Sequence, residues 1–372
     1  MMLDRLKKGI VGLAAPALAF AFAVVVTWIL LVATGHPPAG TFKSMWDYGI
    51  KPDSLTLTVN LAVTYYLSAI AVAIGFRMNL FNIGVDGQYR LAALLAAAVG
   101  GVLHLPPIID VTLIILTAVV TGALWAAIAG VLKTRRGVSE VISTIMLNYI
   151  ATGVIAFLLT PALLAVSVQG SNNIGTRLIP ANGQVPGFTL FHGATSQVYG
   201  LSVLAVLVGV GYWYLLNRTR FGFDLRASGL SATAAVASGV DAKKMVLRTM
   251  LLSGAVAGLV GMPTLLGASY SYSLDFPTGL GFTGVAIALL GRNSPIGVAF
   301  ASLLWAFLDS SRQILDLTGV SKEIVTVMQG VAVLAVVVAY ELVRRYRVVQ
   351  QQRDVGNRLS VEVSGPTEAV AG

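Results

Sequence analysis

The sequence predicts an all-α integral membrane protein of about ten transmembrane helices, interrupted by one broken, polar intramembrane segment. Three observations carry that prediction. The chain of 372 residues is 56% hydrophobic and only 11% charged, whereas a soluble domain runs at roughly a quarter charged. A water-soluble core of this size cannot absorb so much apolar surface, because exposed area grows too quickly with mass. Uncharged runs recur at about the 20 residues needed to cross ~30 Å of hydrocarbon, and lysine and arginine collect on alternate connections.

The first run, 14–33, follows "MMLDRLKKG". That start resembles a signal-peptide n-region, but the apolar stretch is long and no small-residue cleavage site precedes "HPPAG", so it reads as a retained helix. Further runs lie at 55–76, 91–109, 111–132, 141–168, 198–217 and 249–274. Two shorter ones, 276–291 and 293–308, are split by "GRNSPIG", and the last is 324–340.

Ten spans starting inside end inside. The inner segments then hold nineteen of the 25 basic residues, among them Arg77, Lys133, Arg135, Arg136, Arg218, Arg220, Arg226, Lys243, Lys244 and Arg292. Five remain outside (Lys43, Lys51, Arg177, Arg312, Lys322), and Arg90 falls within a span. This positive-inside bias fixes parity and direction, with both termini cytoplasmic. Residues 1–347 form the transmembrane domain, and the polar, aperiodic 348–372 is expected to be a disordered cytoplasmic tail.

Several functions lack support. Cysteine is absent, so there are no disulfides and no thiolate metal sites. His36, His104 and His192 stand far apart in loop regions and read as solvated residues, not metal ligands. The net charge of +9 belongs to membrane orientation and anionic lipid, not to nucleic acid. No G-x-x-x-x-G-K-[ST] is present to cradle ATP phosphates, and neither H-E-x-x-H nor G-x-S-x-G marks an enzyme.

Two stretches stand out. The first, "GFRMNLFNIGVDGQYR" at 75–90, places Arg77, Asn79, Asn82, Asp86, Gln88 and Arg90 between apolar runs. Facing lipid, a charge at mid-helix costs about 2.5–3.5 kcal/mol on translocon scales, so these groups must face protein or a hydrated cavity. Gly84 and Gly87 bracket Asp86 and permit non-helical backbone of the kind that borders a substrate path. Asn79, Asn82, Gly84, Asp86, Gly87 and Gln88, with Asn60 in the preceding span, are therefore candidates for a translocation path or gate. A packing role stands beside this one: Asp86 and Arg90 can pair at i,i+4, Arg77 can snorkel, and Asn79 and Asn82 can bond neighbouring helices. Asn148, Gln329, Glu140 and Asp309 read as interhelix hydrogen bonders, and Asp309 with Arg312 as an ion pair. Tyr65, Tyr66, Phe76, Phe81 and Tyr89 lie near the segment and suit a nucleobase or sugar ring as well as ordinary interfacial positions. Gly254, Gly258 and Gly261 have the small-residue spacing of closely approaching helices.

The second stretch is the inner loop, 217–248, far longer than a connector requires. "SATAAVASG" reads as a short helix with Ser231 as N-cap and Gly239 as C-terminal stop. Asp241 then caps the following helix. Its alanine and serine surface, flanked by Arg218, Arg220, Arg226, Lys243 and Lys244, offers another protein a close approach; the alternative is a loop whose cations rest on lipid headgroups.

"FNIGVDGQ" at 81–88, followed by "RASGLSATAAVASGVDAKKM", "LLSGAVAGLVG" and "ALLGRNSPIG", resembles the permease family of bacterial ABC importers for simple sugars, nucleosides and branched-chain amino acids. It is most similar to the nucleoside-type branch. The resemblance covers roughly 55–345; Asp86 stands where that branch more often has Glu, and Ser231 where Asn or Pro is frequent. It implies a multi-pass permease of the bacterial cytoplasmic membrane with a second, paralogous permease, a two-cassette ABC ATPase inside and a substrate-binding lipoprotein outside. The chain itself would hold no cofactor, and ATP would bind the partner. Arg226, Ser231, Ala234, Ala235, Gly239 and Lys243 would then form the coupling helix seated on the ATPase. An ion-driven secondary transporter would instead need a titratable relay, for which Asp86 is the only deep acid. A simple sugar is the alternative substrate within the same class.

Overall fold

The computed structural model describes residues 21–167 and 173–363. Along the chain the helices are α1 (Ala21–Ala33), α2 (Pro38–Gly49), α3 (Pro52–Phe76), α4 (Val85–Gly100), α5 (Pro107–Arg136) and α6 (Glu140–Leu158). A two-stranded antiparallel ribbon follows, β1 (Val166–Ser167) with β2 (Ile174–Gly175). Then come α7 (Ser202–Arg218), α8 (Arg220–Leu230), α9 (Ala232–Ala237), α10 (Ala242–Gly258) and α11 (Met262–Thr264), the last running into a π-helical turn, Leu265–Ser269. The remainder is α12 (Leu280–Leu290), α13 (Pro295–Ser310), α14 (Arg312–Leu317) and α15 (Glu323–Val363). The chain divides into two compact units, Phe42–Gly319 and a second built from the segments on either side of it.

Every one of the ten apolar runs overlaps a helix, but among the described residues five helical stretches are long and apolar enough to cross a bilayer. They are Pro52–Phe76, Pro107–Arg136, Glu140–Leu158, Ala242–Ser269 and Glu323–Val343; α1 and α2, bent by 116°, add a sixth when the pair is counted as one broken span. The others fall short because hydropathy counts apolar residues whether or not they are helical. The run 91–109 leaves its helix at Gly100 and finishes in a turn ahead of Pro106 and Pro107. The 11 residues of α12 rise only about 17 Å at ~1.5 Å each. Short helices are tolerated at membrane depth where their ends meet protein.

The ends of these elements follow local chemistry. Pro52 opens α3 with Asp53 in its first turn, which suits the positive end of the helix dipole. α5 ends with Lys133, Arg135 and Arg136 before Gly137 at φ 68°, a left-handed stop. The tail expectation needs correction: 348–363 continues α15 to Val363. The stretch has no proline and one glycine, Gly356, and its Gln350, Gln351, Gln352, Arg353, Arg358 and Leu359 are good helix formers. The expected order of 14–20 and the last part of the tail, 364–372, lie outside the described residues.

Within the larger unit, α3 and the Ala242–Ser269 span are the core: 72% and 67% of their apolar windows are buried, against 22% and 28% for α5 and α6. The predicted glycine contact lies between α10 and α5. A Cβ on Gly122 would stand 2.2 Å from the Gly254 carbonyl oxygen, and one on Gly258 would stand 2.1 Å from that of Ala118. Only glycine allows the two backbones to approach so closely. At one end of this unit the segment after β2 is stitched to the end of the α10–α11 span, through Thr176 N to Tyr272 O (2.8 Å), Ile179 N to Tyr270 O (2.8 Å) and Val185 N to Leu266 O (2.9 Å). At the opposite end lie the α3–α4 turn, the α7–α10 connection and the α12–α13 turn.

Candidate functional site

The polar segment sits at the α3–α4 turn. α3 stops at Phe76, and Asn79 reverses the chain at φ 54°, a backbone region that asparagine tolerates better than most residues. α4 starts right after Gly84, so Asp86, Gly87 and Gln88 lie in its first turn. The glycine-bracketed backbone is thus helical, and its glycines serve packing. A Cβ on Gly87 would stand 2.9 Å from both Ala151 Cβ and Asn148 Oδ1.

The amides form a closed network. Asn82 (0% exposed) and Gln88 (1%) exchange two hydrogen bonds, Asn82 Nδ2 to Gln88 Oε1 at 3.0 Å and Gln88 Nε2 to Asn82 Oδ1 at 2.9 Å. Asn82 also donates to Ser253 Oγ at 2.8 Å and accepts from Gly84 N at 3.1 Å. Ser253 in turn donates to Ala71 O at 2.6 Å. α6 grips the same turn with one side chain: Asn148 donates to Ile83 O and accepts from Gly87 N, each at 2.9 Å. This knot joins α3, α4, α6 and α10. Buried polar groups are tolerable when they satisfy one another in this way.

The two charges of α4 behave as the spacing predicts. Asp86 and Arg90 approach to 3.7 Å, and Asp86 Oδ1 accepts from Gly281 N at 3.4 Å, where α12 begins. Arg90 also donates to Thr152 at 3.1 Å. Arg77 donates to Asn293 O through Nε (3.2 Å) and Nη2 (2.8 Å), an oxygen that also accepts from Tyr212 (2.9 Å). Asp309 takes both the predicted pairing with Arg312, at 2.6 Å, and a hydrogen bond from Tyr65; Glu140 pairs with Lys133. The aromatic residues do not gather at one place: Phe76 meets Phe81 edge-on at 5.0 Å, while Tyr89 donates to Pro277 O at 2.7 Å.

Of the predicted path residues, Asn60 stands apart. It donates to Gln197 O at 3.0 Å and accepts from Tyr199 N at 2.9 Å, and it lines a 560 Å³ cavity at the end of the bundle opposite the knot. None of the knot residues lines that cavity or the apolar ones of 630 and 660 Å³.

The inner loop folds as its sequence spells out. Ser231, extended at φ −157°, caps α9 by accepting from Ala234 N at 3.3 Å. Gly239 turns at φ 84°, and Val240 N returns to Ala235 O at 3.0 Å. Asp241 caps α10 through Lys244 N at 3.0 Å; that bond and the Lys244 side chain hold its carboxyl below the ordinary carboxylate range. Lys243 and Ala234 are exposed and Arg226 is half-buried. Ala235, expected on the outward face, is instead buried against the chain itself.

Sequence reasoning missed α8, although Thr219 announces it as an N-cap, accepting from Gly222 N at 3.0 Å. α8 buries Leu225 and presents Phe223 and Leu230 outward, Leu230 at 90% exposure. It also links the two predicted regions: Asn79 Nδ2 donates to Gly229 O at 2.6 Å, and a Cβ on Gly229 would stand 2.3 Å from Arg77 O. The arrangement offers no nucleophile–base pair, and no cluster of metal ligands occurs among the described residues. It joins an exposed apolar patch to the turn that carries the buried polar knot, through the Asn79 hydrogen bond and the close packing of Gly229 on Arg77 and Met78.

Comparison with known proteins gives these features a context. The family model "Branched-chain amino acid transport system / permease component" matches residues 54–337. A guanosine ABC transporter permease protein of Bacillus subtilis (strain 168), NupP, is 31% identical over 344 residues, covering 90% of this chain and 96% of that one. A nucleoside ABC transporter permease protein of Lactococcus lactis, NupB, is 30% identical over 336 residues, 87% of this chain and 90% of the other. A glucose ABC transporter permease protein of Haloferax volcanii, TsgB13, is 30% identical over 346 residues, 90% and 89%. No solved structure matches the chain.

Proposed function

The chain belongs to the family of branched-chain amino acid transport system permease components, and from that premise we propose that it is the transmembrane permease subunit of an ATP-driven importer moving a nucleoside across the cytoplasmic membrane. The chain makes ten passes when its short helices are counted, with both termini inside. It carries no catalytic residue: ATP is bound and hydrolysed by a two-cassette ABC ATPase, a lipoprotein delivers the solute from outside, and a paralogous permease forms the other wall of the path.

The observation that carries this reading is Leu230, 90% exposed on a basic loop that the charge count assigns to the water outside the hydrocarbon. Large apolar side chains bared on such a loop, here Phe223, Leu230 and Val236 around the Ala234 surface, call for a protein cover. The ATPase supplies it. The coupling helix is α9, seated by Ser231 and Gly239 and flanked by Arg226 and Lys243. When the cassettes close, α8 and α9 shift, and the Asn79–Gly229 contact passes that shift to the α3–α4 turn. Asn82, Gly84, Asp86, Gly87 and Gln88 hold the turn as one rigid body, so α3, α4 and α10 move together and access alternates. Asp86, paired with Arg90, acts here as a gate brace.

Nucleoside is favoured by NupP and NupB, and a simple sugar is the second reading, favoured by TsgB13. The solutes in those names share a neutral sugar ring with adjacent hydroxyls. The test is uptake into proteoliposomes. With lipoprotein, both permeases, ATPase and ATP, labelled uridine should accumulate and excess adenosine should compete. Uptake by this chain alone under a Na⁺ or H⁺ gradient would overturn the importer reading, and competition by ribose or glucose but not adenosine would shift the substrate to a sugar.

A further inference from the structure

The 560 Å³ cavity that Asn60 borders is chemically unlike the two apolar ones, and it lies at the end of the bundle that the charge count assigns to the outside. Its volume falls within the range of small-molecule sites, roughly 300–1,000 Å³. Asp53, Ser54, Tyr48, Tyr199 and Gln313 line it together with Asn60.

Two of these polar groups, Asp53 and Gln313, are held in place by bonds that leave another atom available. Asp53 Oδ1 accepts four hydrogen bonds: from Thr195 N (2.8 Å), Thr195 Oγ1 (3.0 Å), Ser196 N (2.9 Å) and Ser196 Oγ (2.8 Å). None of the described bonds uses Oδ2, and the side chain is exposed. The carboxylate is therefore locked by one oxygen and offers the other. Gln313 Oε1 accepts from Tyr48 at 2.9 Å, which orients the amide and leaves Nε2 as a donor. Asn60 donates to Gln197 O and accepts from Tyr199 N, which fixes its amide in the wall of the cavity. Tyr48 and Tyr199 add ring surface. A fixed anionic acceptor, an amide donor and two phenol rings suit a neutral ring that carries adjacent hydroxyls on one edge and C–H groups on its face. They suit neither an anion, which Asp53 would repel, nor an apolar solute, which would strand the polar groups.

We propose that this cavity is an outer-mouth subsite for the sugar ring of the transported solute, with Asp53 Oδ2 accepting from a vicinal diol and Gln313 Nε2 donating to a ring or base oxygen. This rests on the importer reading, which it deepens by naming the part of the solute that is recognised. The subsite binds weakly by design, because a carrier must release what it admits.

Asp53→Asn is the discriminating change. The asparagine oxygen can take the place of Oδ1 and its four bonds, while the available oxygen becomes an NH₂ and the negative charge is lost. Equilibrium dialysis of labelled uridine against the purified permease complex in lipid nanodiscs, with the lipoprotein omitted, reads the subsite directly. Wild type should bind uridine at millimolar concentrations, Asp53→Asn roughly tenfold more weakly, and 2′,3′-dideoxyuridine should bind wild type and variant equally poorly. Gln313→Ala, at an exposed position, should weaken uridine binding severalfold without touching the Thr195–Ser196 anchor. Equal uridine affinity in wild type and Asp53→Asn, or dideoxyuridine binding wild type as well as uridine does, would overturn the subsite. If the complete importer takes up uridine while those results hold, the subsite alone fails; if it takes up neither nucleoside nor sugar, the importer reading fails with it.

Discussion

The α3–α4 knot and the α8–α9 loop are inverses of one another. The knot is polar and sealed: Asn82 and Gln88 are essentially inaccessible, and each amide bonds to protein. The loop is small and apolar, yet it holds Leu230 and Val236 out in the open. Residue type leaves a choice at both places, since amides in an apolar chain suit a hydrated path or interhelix bonds, and an alanine–serine surface suits a partner protein or lipid headgroups. Exposure narrows each choice. Polarity that is buried and mutually satisfied makes a rigid joint, and apolar surface left uncovered makes a docking face.

The most severe way to break this comparison is Asn82→Leu, which keeps the branched outline of the side chain and removes the amide. Gln88 Oε1 and Nε2 and Gly84 N would lose the partners they have, at roughly 1–3 kcal/mol for each group left unpaired. The detergent-solubilised complex should lose thermal stability before transport is even assayed. A variant with wild-type melting and abolished uptake would mean that Asn82 faces solute instead of holding helices together.

The opposite expectation applies to Leu230→Asp. An exposed position tolerates the change within about 0.5 kcal/mol of folding stability, so melting should be unaltered. Association with the ATPase should fall by roughly thirtyfold or more, as for a buried interface anchor worth about 2 kcal/mol, measured by co-purification or by binding of the isolated ATPase. Unchanged association would return the loop to the lipid headgroups. Ala235→Trp is not an equivalent probe, because Ala235 packs inward and a large ring there would disturb the loop itself.

Much of this was legible in the sequence wherever the determinant was local. The caps Ser231, Gly239 and Asp241, the pairs Asp86–Arg90 and Asp309–Arg312, and the close-packing role of Gly254 and Gly258 all depend on neighbours within a few residues or on a periodic pattern, and the structure contains each of them. What composition does not encode is which distant group satisfies a polar side chain. Ser253 for Asn82, Asn293 for Arg77 and Gly229 for Asn79 come from helices placed far along the chain, and only the fold brings them together. Hydropathy also overextends: it carries the run 91–109 past the end of α4 at Gly100, because a turn packed against protein reads the same as a helix in lipid. The cavity at Asp53 was hidden for a related reason, since its walls come from five places: α2, α3, the segment before α7, the π-helical turn and α14.

The finest cut falls on the contact that joins the two regions. Asn79 contributes a left-handed backbone at φ 54° and an amide bonded to Gly229 O at 2.6 Å. Alanine would confuse the two roles by straining the turn, whereas glycine accepts the same backbone freely. Asn79→Gly therefore deletes the hydrogen bond alone, worth about 1 kcal/mol. Neither the knot nor the docking face is touched, so melting and ATPase association should both stay at wild-type values. The expected change is confined to coupling: ATP hydrolysed per solute imported, measured in proteoliposomes, should rise by roughly fivefold. An unchanged ratio would show that the loop moves the bundle through the α8 backbone packed at Arg77 and Met78, with the asparagine serving only to shape the turn.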